Sequence, residues 1–474
     1  MQAAIEARAV SHRTRAGEVA VRDISLTIWH GELVAIIGGR GSGKTTLLNA
    51  MSGLRPPTSG LVVRRSACPS GYVPDGDTLP AVLPLVRALR YTAELRPARA
   101  AASAGARAAE ALDLAGLTAQ GLMPAGALTP DERKRAVITA ELLSRPAQLF
   151  LEEPTAALDP AQGAEVLRLL RRLADGGMTV VLTTSSPLDA ARCDKVVVLA
   201  GGGHLAFYGT PAAALGYFGA DSLEEIFERL AGFGDPAAAW SRRFFQFSRT
   251  MGGFTVPPTT VPLPGPALLP DEAGPHSAGR VSADLAAAVV GTDAMDAVDG
   301  EPTARAGPAP PPCARPAAPA RQWAVLTRRN AEMLARDRRM LAVLAGTPVA
   351  ILLAFCVLLG CGALDGRDAV TLAWAVLGGL VAGLAYQLPA RAEEAGILRR
   401  ERFSGLSTGA FVLAKVTVLL PLLALADALI LAVPAVDDRL TDGFGPAYLT
   451  VLLASLAGLA IALALTSVAG GEAG

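Results

Sequence analysis

Lysine is nearly missing from this chain. Lys44, Lys134, Lys195 and Lys415 are the only four among 43 basic residues, and arginine supplies the other 39. With abundant Ala, Gly and Pro beside it, this reads as a coding bias, so a retained lysine is a candidate for chemistry that arginine does not replace. Excess charge is missing too: 43 acidic residues balance the 43 basic ones. A chain without a net positive field has no electrostatic footprint for nucleic acid, and no nucleic-acid partner is expected. Cysteine is scarce. Cys68, Cys193, Cys313, Cys356 and Cys361 form no CxxC pair and no Cys/His cluster, which excludes a disulfide framework and a zinc site. Met1 to Val10 hold Glu6 and Arg8 and no apolar run. No signal peptide is therefore expected, and the amino end is expected in the cytoplasm.

What the chain has is apolar bulk. It is 51% hydrophobic with a mean hydropathy of +0.38, so part of it is expected to sit in lipid. Its 474 residues allow two or three domains at roughly 150 residues each. Three zones divide it. Residues 1–253 alternate short apolar runs with helical patterns of Ala, Leu and Arg. Val34–Ile37, Gln148–Leu151 and Thr179–Leu182 read as buried strands, and the alternation predicts an α/β domain with a largely parallel sheet. Residues 254–320 turn to Pro, Ala, Gly and Thr, with the run Pro308–Pro312, and read as a disordered linker. Residues 321–474 are membrane-like, with four predicted spans at about 341–363, 370–388, 410–434 and 447–469. Arginines crowd two of the flanking gaps: Arg328, Arg329, Arg336, Arg338 and Arg339 before the first span, and Arg391, Arg399, Arg400 and Arg402 between the second and third. The other two gaps hold one each, Arg367 and Arg439. By the positive-inside rule the crowded gaps are cytoplasmic. Asp427 falls inside the third span, where a carboxylate is costly, and is expected to face other helices or a cavity.

One retained lysine stands in a motif. Gly38-Gly39-Arg40-Gly41-Ser42-Gly43-Lys44-Thr45 fits G-x4-G-K-[ST], follows the strand Val34–Ile37 and opens a helical pattern at Thr46. Glycines let backbone N–H groups turn toward phosphate oxygens, the helix start adds a positive dipole end, Lys44 reaches the β/γ-phosphates and Thr45 ligates Mg²⁺. About 105 residues on, Leu149-Phe150-Leu151-Glu152-Glu153-Pro154-Thr155 ends an apolar strand in two carboxylates. The first is suited to Mg²⁺ and the second, Glu153, to a water activated as nucleophile.

With these motifs, the chain resembles ATP-binding-cassette (ABC) transporters of the G-type (white-like) layout, nucleotide-binding domain first and ABC-2-like membrane domain second. Gly71–Pro74, Ala88–Leu95, Glu132–Arg135 leading to Glu141–Leu143, and Phe207–Pro211 carry the resemblance, with Arg400-Glu401-Arg402, Gly405 and Ser407 in the membrane part. It implies an α/β P-loop NTPase domain followed by an all-α transmembrane domain, ATP and Mg²⁺ as cofactors, and an integral plasma-membrane location with the nucleotide-binding domain in the cytoplasm. It implies a homodimer, or a heterodimer with another ABC subunit, contact with membrane lipid, and a transported substrate that the sequence does not identify. Nucleotide binding falls to Gly38, Gly39, Arg40, Gly41, Ser42, Gly43, Lys44, Thr45 and Thr46, Mg²⁺ to Thr45, Glu152 and Asp75, and general-base catalysis to Glu153. Export is the expected activity. The alternative is a nucleotide-sensing regulatory or scaffold subunit with little turnover.

The chain departs from the family at four places. Asp75 stands where the family has Gln after Tyr-Val-Pro, Glu152 where it has Asp, and Ser185 at the switch-histidine position. Thr129-Pro130-Asp131-Glu132 stands for the Ser-Gly-Gly-Glu signature, whose N–H groups meet the partner's γ-phosphate. Pro130 removes one N–H donor. Asp131 brings a negative charge, and one like-charge contact at about 5 Å costs roughly 3 kcal/mol at an effective dielectric of about 20. The same four residues read as a helix start that caps itself, with Thr at N-cap, Pro at N1 and Glu at N3. The membrane part also shows four spans where the resemblance implies six.

Four spans, an even number, and the arginine pattern place the amino end, the 389–409 loop and the carboxyl end on the cytoplasmic face. A membrane-impermeant thiol reagent added from outside should label a cysteine introduced near Asp437–Asp442 and spare one at Arg399. The opposite labelling would overturn this topology.

Overall fold

The computed structural model describes residues 2–14, 16–66, 70–76, 78–96, 103–231, 237–250, 317–360, 368–385, 396–398, 400–402, 404–436 and 443–472. The expected linker, apart from residues 317–320, lies outside them, as do Arg367, Arg391, Arg399, Arg439 and the 437–442 segment.

Nine strands form one sheet. In chain order they are β1 (Ala3–Arg13), β2 (Val19–Trp29), β3 (Leu33–Gly38), β4 (Ser59–Arg64), β5 (Gly71–Val73), β6 (Gln148–Leu151), β7 (Thr179–Thr183), β8 (Lys195–Ala200) and β9 (His204–Gly209). They lie side by side as β4-β1-β2-β9-β8-β3-β7-β6-β5. The half from β8 to β5 is parallel. Its strands β3, β6 and β7 are buried at every position, as strands covered on both faces must be, and so they read as unbroken apolar runs. The other half, β4-β1-β2, is antiparallel and irregular in register, and its mixed burial hides it from that kind of reading.

Helices α1 (Lys44–Ser52), α2 (Leu85–Leu95), α3 (Ala104–Leu114), α4 (Pro130–Leu142), α5 (Pro160–Asp175), α6 (Pro187–Ala190), α7 (Pro211–Phe218), α8 (Leu223–Ala231) and α9 (Ala237–Thr250) complete the amino-terminal part. Several of their starts are capped by a side chain. Asp159 accepts from the Gln162 N–H at 2.8 Å with Pro160 at N1, and Thr210 does the same for Ala213 ahead of Pro211. Phe207 of β9 packs with Tyr217, Phe218 and Phe244, and these rings meet Trp240 and Phe247 in turn, which holds α7 and α9 against the sheet.

After the linker come α10 (Pro319–Arg336), α11 (Arg338–Gly360), α12 (Asp368–Ala385), α13 (Thr408–Val436) and α14 (Phe444–Glu472). Among the described residues, three stretches are long and apolar enough to cross a membrane: Arg338–Leu358, Thr408–Ala432 and Phe444–Ala464. Val370–Ala385 is a shorter apolar helix. α12 and α14 touch backbone to backbone. A Cβ on Gly383 would fall 2.0 Å from the Ser455 carbonyl oxygen, and one on Gly458 would fall 2.4 Å from that of Leu380. In lipid, where apolar burial gives no preference for a neighbouring helix, such close approach is the main source of attraction. Asp427 of α13 is buried, and the Ser455 hydroxyl of α14 donates to its Oδ1 at 2.8 Å.

A row of charges joins α10 to α2. Glu332 accepts from Arg87 and from the Tyr91 hydroxyl, both at 2.7 Å, and Arg328 donates to Glu94 at 2.5 Å. The Arg87 hydrogen bond is the main reason the Glu332 carboxyl lies below its ordinary 4.5, helped by Tyr91 and opposed by burial. A carboxylate lowered in this way stabilises the fold above about pH 4.5 and loses that contribution as the pH falls through its folded value. Thermal unfolding of the full chain in detergent, measured from pH 7 to pH 3, should therefore show a smaller acid-limb loss for Glu332→Gln than for wild type. Superimposable pH profiles would count against the assignment.

Candidate functional site

The loops after β3, β7 and β6 leave the sheet together, because Ile36 lies opposite Thr183 and Leu151 opposite Leu182. In such sheets ligands sit at the carboxyl ends of the strands. Between β3 and α1 the chain winds through Gly38–Gly43, with Gly41 at φ +77° and Gly43 at φ +92°. Gly43 has no room for a side chain, since a Cβ there would fall 2.2 Å from the Ala20 carbonyl oxygen. Lys44 folds back over the loop and donates to the carbonyl oxygens of Gly38 at 2.9 Å and Gly39 at 3.2 Å. The Ser42 hydroxyl is buried with no partner among the described residues. The glycine turns, the orphaned hydroxyl and the α1 N-terminus form a cradle that fits an anionic phosphate. Arg40 and Thr45 are exposed at its mouth, and Thr46 lies in the first turn of α1.

Glu152 and Glu153 follow β6. The Glu152 N–H donates to the Val73 carbonyl at 2.8 Å, and that of Glu153 to the Thr183 hydroxyl at 3.0 Å, which ties the turn to both neighbouring strands. Glu153 has φ +39°, a conformation that costs a non-glycine residue of order 1–3 kcal/mol and aims its carboxylate across the strand ends. That carboxylate meets the switch position. Ser185 donates to Glu153 Oε2 from its N–H at 3.0 Å and from its hydroxyl at 2.9 Å. Oε1 is left to accept from elsewhere. A cavity of about 190 Å³ opens beside the pair, lined also by Asp159, Thr184 and Asp189.

Thr45 and Glu152 suit Mg²⁺, which takes a hydroxyl and one or two carboxylates and fills its remaining positions with phosphate oxygens and water. No cluster of three or more His, Cys, Asp or Glu side chains that could hold an ion unaided occurs among the described residues. Asp75, the third expected ligand, is exposed and occupied otherwise: Lys134 of α4 donates to its carbonyl oxygen at 2.6 Å and lies 3.4 Å from its carboxylate.

The signature segment starts α4. The Thr129 N–H donates to Glu132 Oε2 at 3.0 Å, and the Thr129 hydroxyl donates to Asp131 Oδ1 at 2.7 Å. Arg135, one turn on, meets the other Asp131 oxygen at 3.0 Å. Burial works to raise the Asp131 carboxyl, but Thr129, Arg135 and the Glu132 N–H together hold it below its usual range. Its charge is therefore balanced within the chain, and the repulsion expected of it toward a phosphate is reduced.

Sequence reasoning named Glu141, Arg400 and Glu401 only as points of resemblance, and the structure gives them a place. Glu141, 1% exposed at the end of α4, accepts from Arg96 at 2.5 and 2.9 Å and from the Tyr72 N–H at 3.3 Å. Arg400, 2% exposed, donates to the Thr78 hydroxyl at 3.0 Å and stands 3.6 Å from Glu141. Burial pushes the Arg400 guanidinium down to about 10, with Glu141 opposing and Arg96 adding to the shift. Glu401 pairs with Arg329 of α10. Arginines and glutamates flanking apolar segments were the available signal, but nothing in their spacing said which would pair.

Residues 21–156 match the family model for the ABC transporter, and residues 321–472 match that for the ABC-2 type transporter. The ABC transporter ATP-binding/permease protein Rv1747 of Mycobacterium tuberculosis is 35% identical over 57% of this chain and 31% of its own length. ATP-binding cassette sub-family G member 5 of Mus musculus is 34% identical over 42% of this chain and 33% of its own. The macrolide export ATP-binding/permease protein MacB of Salmonella paratyphi A is 35% identical over 42% and 33%. The matches thus span about a third of the length of these relatives.

The chain joins an ABC ATP-binding domain of the P-loop NTPase fold to a helical ABC-2 type membrane domain in one polypeptide. It is an integral membrane protein with its nucleotide-binding domain in the cytoplasm. Lys44→Ala should weaken ATP binding by at least tenfold, read by fluorescence titration of a labelled ATP analogue with Mg²⁺ present. Equal affinity in the two proteins would remove the cradle as the binding site.

Proposed function

We propose that this chain is an ATP-binding subunit and permease of an exporting ABC transporter, working as a dimer and turning ATP over slowly. The observation that carries the proposal is the continuity between cradle and membrane domain. Asn49 of α1 accepts from the Tyr72 hydroxyl at 2.7 Å, the Tyr72 N–H meets Glu141, and Glu141 faces Arg400. A displacement at the phosphate cradle therefore has a packed route, through two hydrogen bonds and an ion pair, to the cytoplasmic end of the membrane helices. Two of the relatives that match part of this chain are named ATP-binding/permease proteins, which favours a transporter over a purely regulatory subunit. Export is assigned by analogy with the macrolide export relative.

In this reading Lys44 and the N–H groups from Gly39 to Thr46 hold the phosphates, and Thr45 and Glu152 would hold Mg²⁺, which would supply positive charge beside the phosphates. Glu153, through its open Oε1, takes the proton of the attacking water. Ser185 orients Glu153 but cannot act as a histidine would. Losing a positioned polar or proton-transferring group commonly costs on the order of 10²-fold or more. The Thr129–Glu132 helix start satisfies itself rather than the partner chain's nucleotide, and Asp75 is tied to Lys134.

In a homodimer each composite site combines Ser185 of one chain with Thr129–Glu132 of the other, so every site carries both departures. We expect ATPase turnover of the purified homodimer in lipid nanodiscs to lie below roughly 1 per second. Ser185→His alone, or Pro130→Gly with Asp131→Gly, should each restore little. Combining them should exceed the product of the separate gains, because groups acting on one transition state are not additive. With an intact ABC partner subunit the two departures fall in different sites, and either repair should rescue one of them. Wild-type homodimer turnover at or above roughly 1 per second would refute the slow-turnover reading.

A further inference from the structure

A cavity of about 660 Å³ lies between the end of α2, the start of α3 and α10, and the site described above makes no use of it. We infer that it is a phosphate-binding site formed by Arg90, Arg321 and Arg328, taking the headgroup of an anionic phospholipid from the cytoplasmic leaflet or a soluble phosphate ester of the same chemistry.

The arrangement of donors argues for this. Glu94 is the acidic residue of the lining, and it takes one N–H from each of two arginines: Nε of Arg90 at 3.1 Å and Nη2 of Arg328 at 2.5 Å. That bracket orients both guanidiniums and leaves the terminal nitrogens of Arg90, and Nε and Nη1 of Arg328, without described partners. Arg321 makes no ion pair among the described residues. Three positive charges thus face one negative charge around a space large enough for a headgroup. The first turn of α3 adds to them. Ser103 caps the Ala106 N–H, while Ala104 and Gly105 line the cavity with N–H groups that have no acceptor inside the helix. Arg107 of the same helix is buried, with its Nε unpartnered among the described residues. Burial lowers its pKa, and the charges of Arg321 and Arg145 lower it further, so this region holds cations in excess of the acids present.

The position favours lipid as the source. Trp323, two residues from Arg321, donates to the Thr417 hydroxyl at 3.1 Å, and Thr417 lies within the Thr408–Ala432 span. α10 therefore runs beside the cytoplasmic end of α13, with an exposed tryptophan at the level where such rings meet headgroups. Basic pockets at this depth are suited to anionic headgroups. An ion-pair staple between α2 and α10 would need Glu94, Arg90 and Arg328, but would not need Arg321 or the open space.

The test uses the full chain carrying Lys44→Ala, so that the cradle does not compete for phosphate. In phosphatidylcholine nanodiscs with and without phosphatidylglycerol, retained lipids are counted by native mass spectrometry. Arg321→Ala should lower the preference for phosphatidylglycerol about fivefold and Arg321→Glu roughly thirtyfold, while Arg321→Lys should keep most of it. In detergent, glycerol 3-phosphate is added and thermal unfolding is followed. A phosphatidylglycerol preference that falls in Arg321→Glu supports the site with lipid as its source. Stabilisation by glycerol 3-phosphate that is lost in Arg321→Glu, without any lipid preference, supports the site with a soluble source. Neither response in the protein with Arg321 intact, or either response undiminished in Arg321→Glu, overturns the site. ATP binding by Arg321→Glu with Lys44 restored shows that the variant is folded.

Discussion

The Glu141 carboxylate is the interaction on which the arrangement of the two regions depends. It is buried, and a buried charge stands only if its neighbours supply opposite charge and hydrogen bonds. They do so from three directions: Arg96 beyond the end of α2, the Tyr72 N–H on β5, and Arg400 from the membrane domain. Removing one partner of a buried pair typically costs about 3–5 kcal/mol, most of it the penalty of the charge left behind. Tyr72 immediately precedes Val73 and Pro74, and Asp75 follows them, so the carboxylate also fixes where that loop begins. Arg400 is committed less fully. It is fully enclosed, yet two of its nitrogens lack hydrogen-bond partners among the described residues and its contact with Glu141 is an ion pair at 3.6 Å. A joint with unspent donors can be rearranged at lower cost than one whose hydrogen bonds are all made.

How much of this was legible in the sequence follows from the physics of each part. The parallel strands could be read because burial on both faces leaves an unbroken apolar run, as in Leu33–Gly38 and Thr179–Thr183. The self-capped start of α4 could be read from Thr129-Pro130-Asp131-Glu132 because capping is a local matter of residues three apart. The antiparallel strands β1, β2 and β4 could not. They are half-exposed, their register shifts at bulges, and Ala9 and Asp23 adopt positive φ, so no clean alternation survives. The charge pairs Arg87–Glu332, Arg329–Glu401 and Glu141–Arg400 were illegible for another reason. Each joins residues 72 or more positions apart, and no local rule selects a partner at that distance. Asp75 shows the same limit on a small scale. Its residue type suits a metal, but the structure sets Lys134 beside it.

One pattern runs through the nucleotide site. Four of the groups expected to face phosphate, metal or water have a partner inside the chain. Lys44 rests on the carbonyls of Gly38 and Gly39, Asp75 on Lys134, Asp131 on Thr129 and Arg135, and Glu153 on Ser185. These contacts differ in how hard they are to exchange. Lys44 exchanges two neutral carbonyls for charged phosphate oxygens, a gain, because the ammonium then meets an opposite charge in place of a dipole. Asp75 with Lys134 is exposed on the aspartate side, and pairs of that kind are worth about 0–1 kcal/mol. Asp131 is harder to free, because hydroxyl and guanidinium hold both of its oxygens and both its side chain and that of Arg135 are largely shielded. The asymmetry has a functional consequence. The groups that act in cis can be released at small cost by an incoming nucleotide, while the group that would have to act in trans is the one most firmly engaged with its own helix. In the proposed dimer, that difference would favour nucleotide binding over closure of two chains around it.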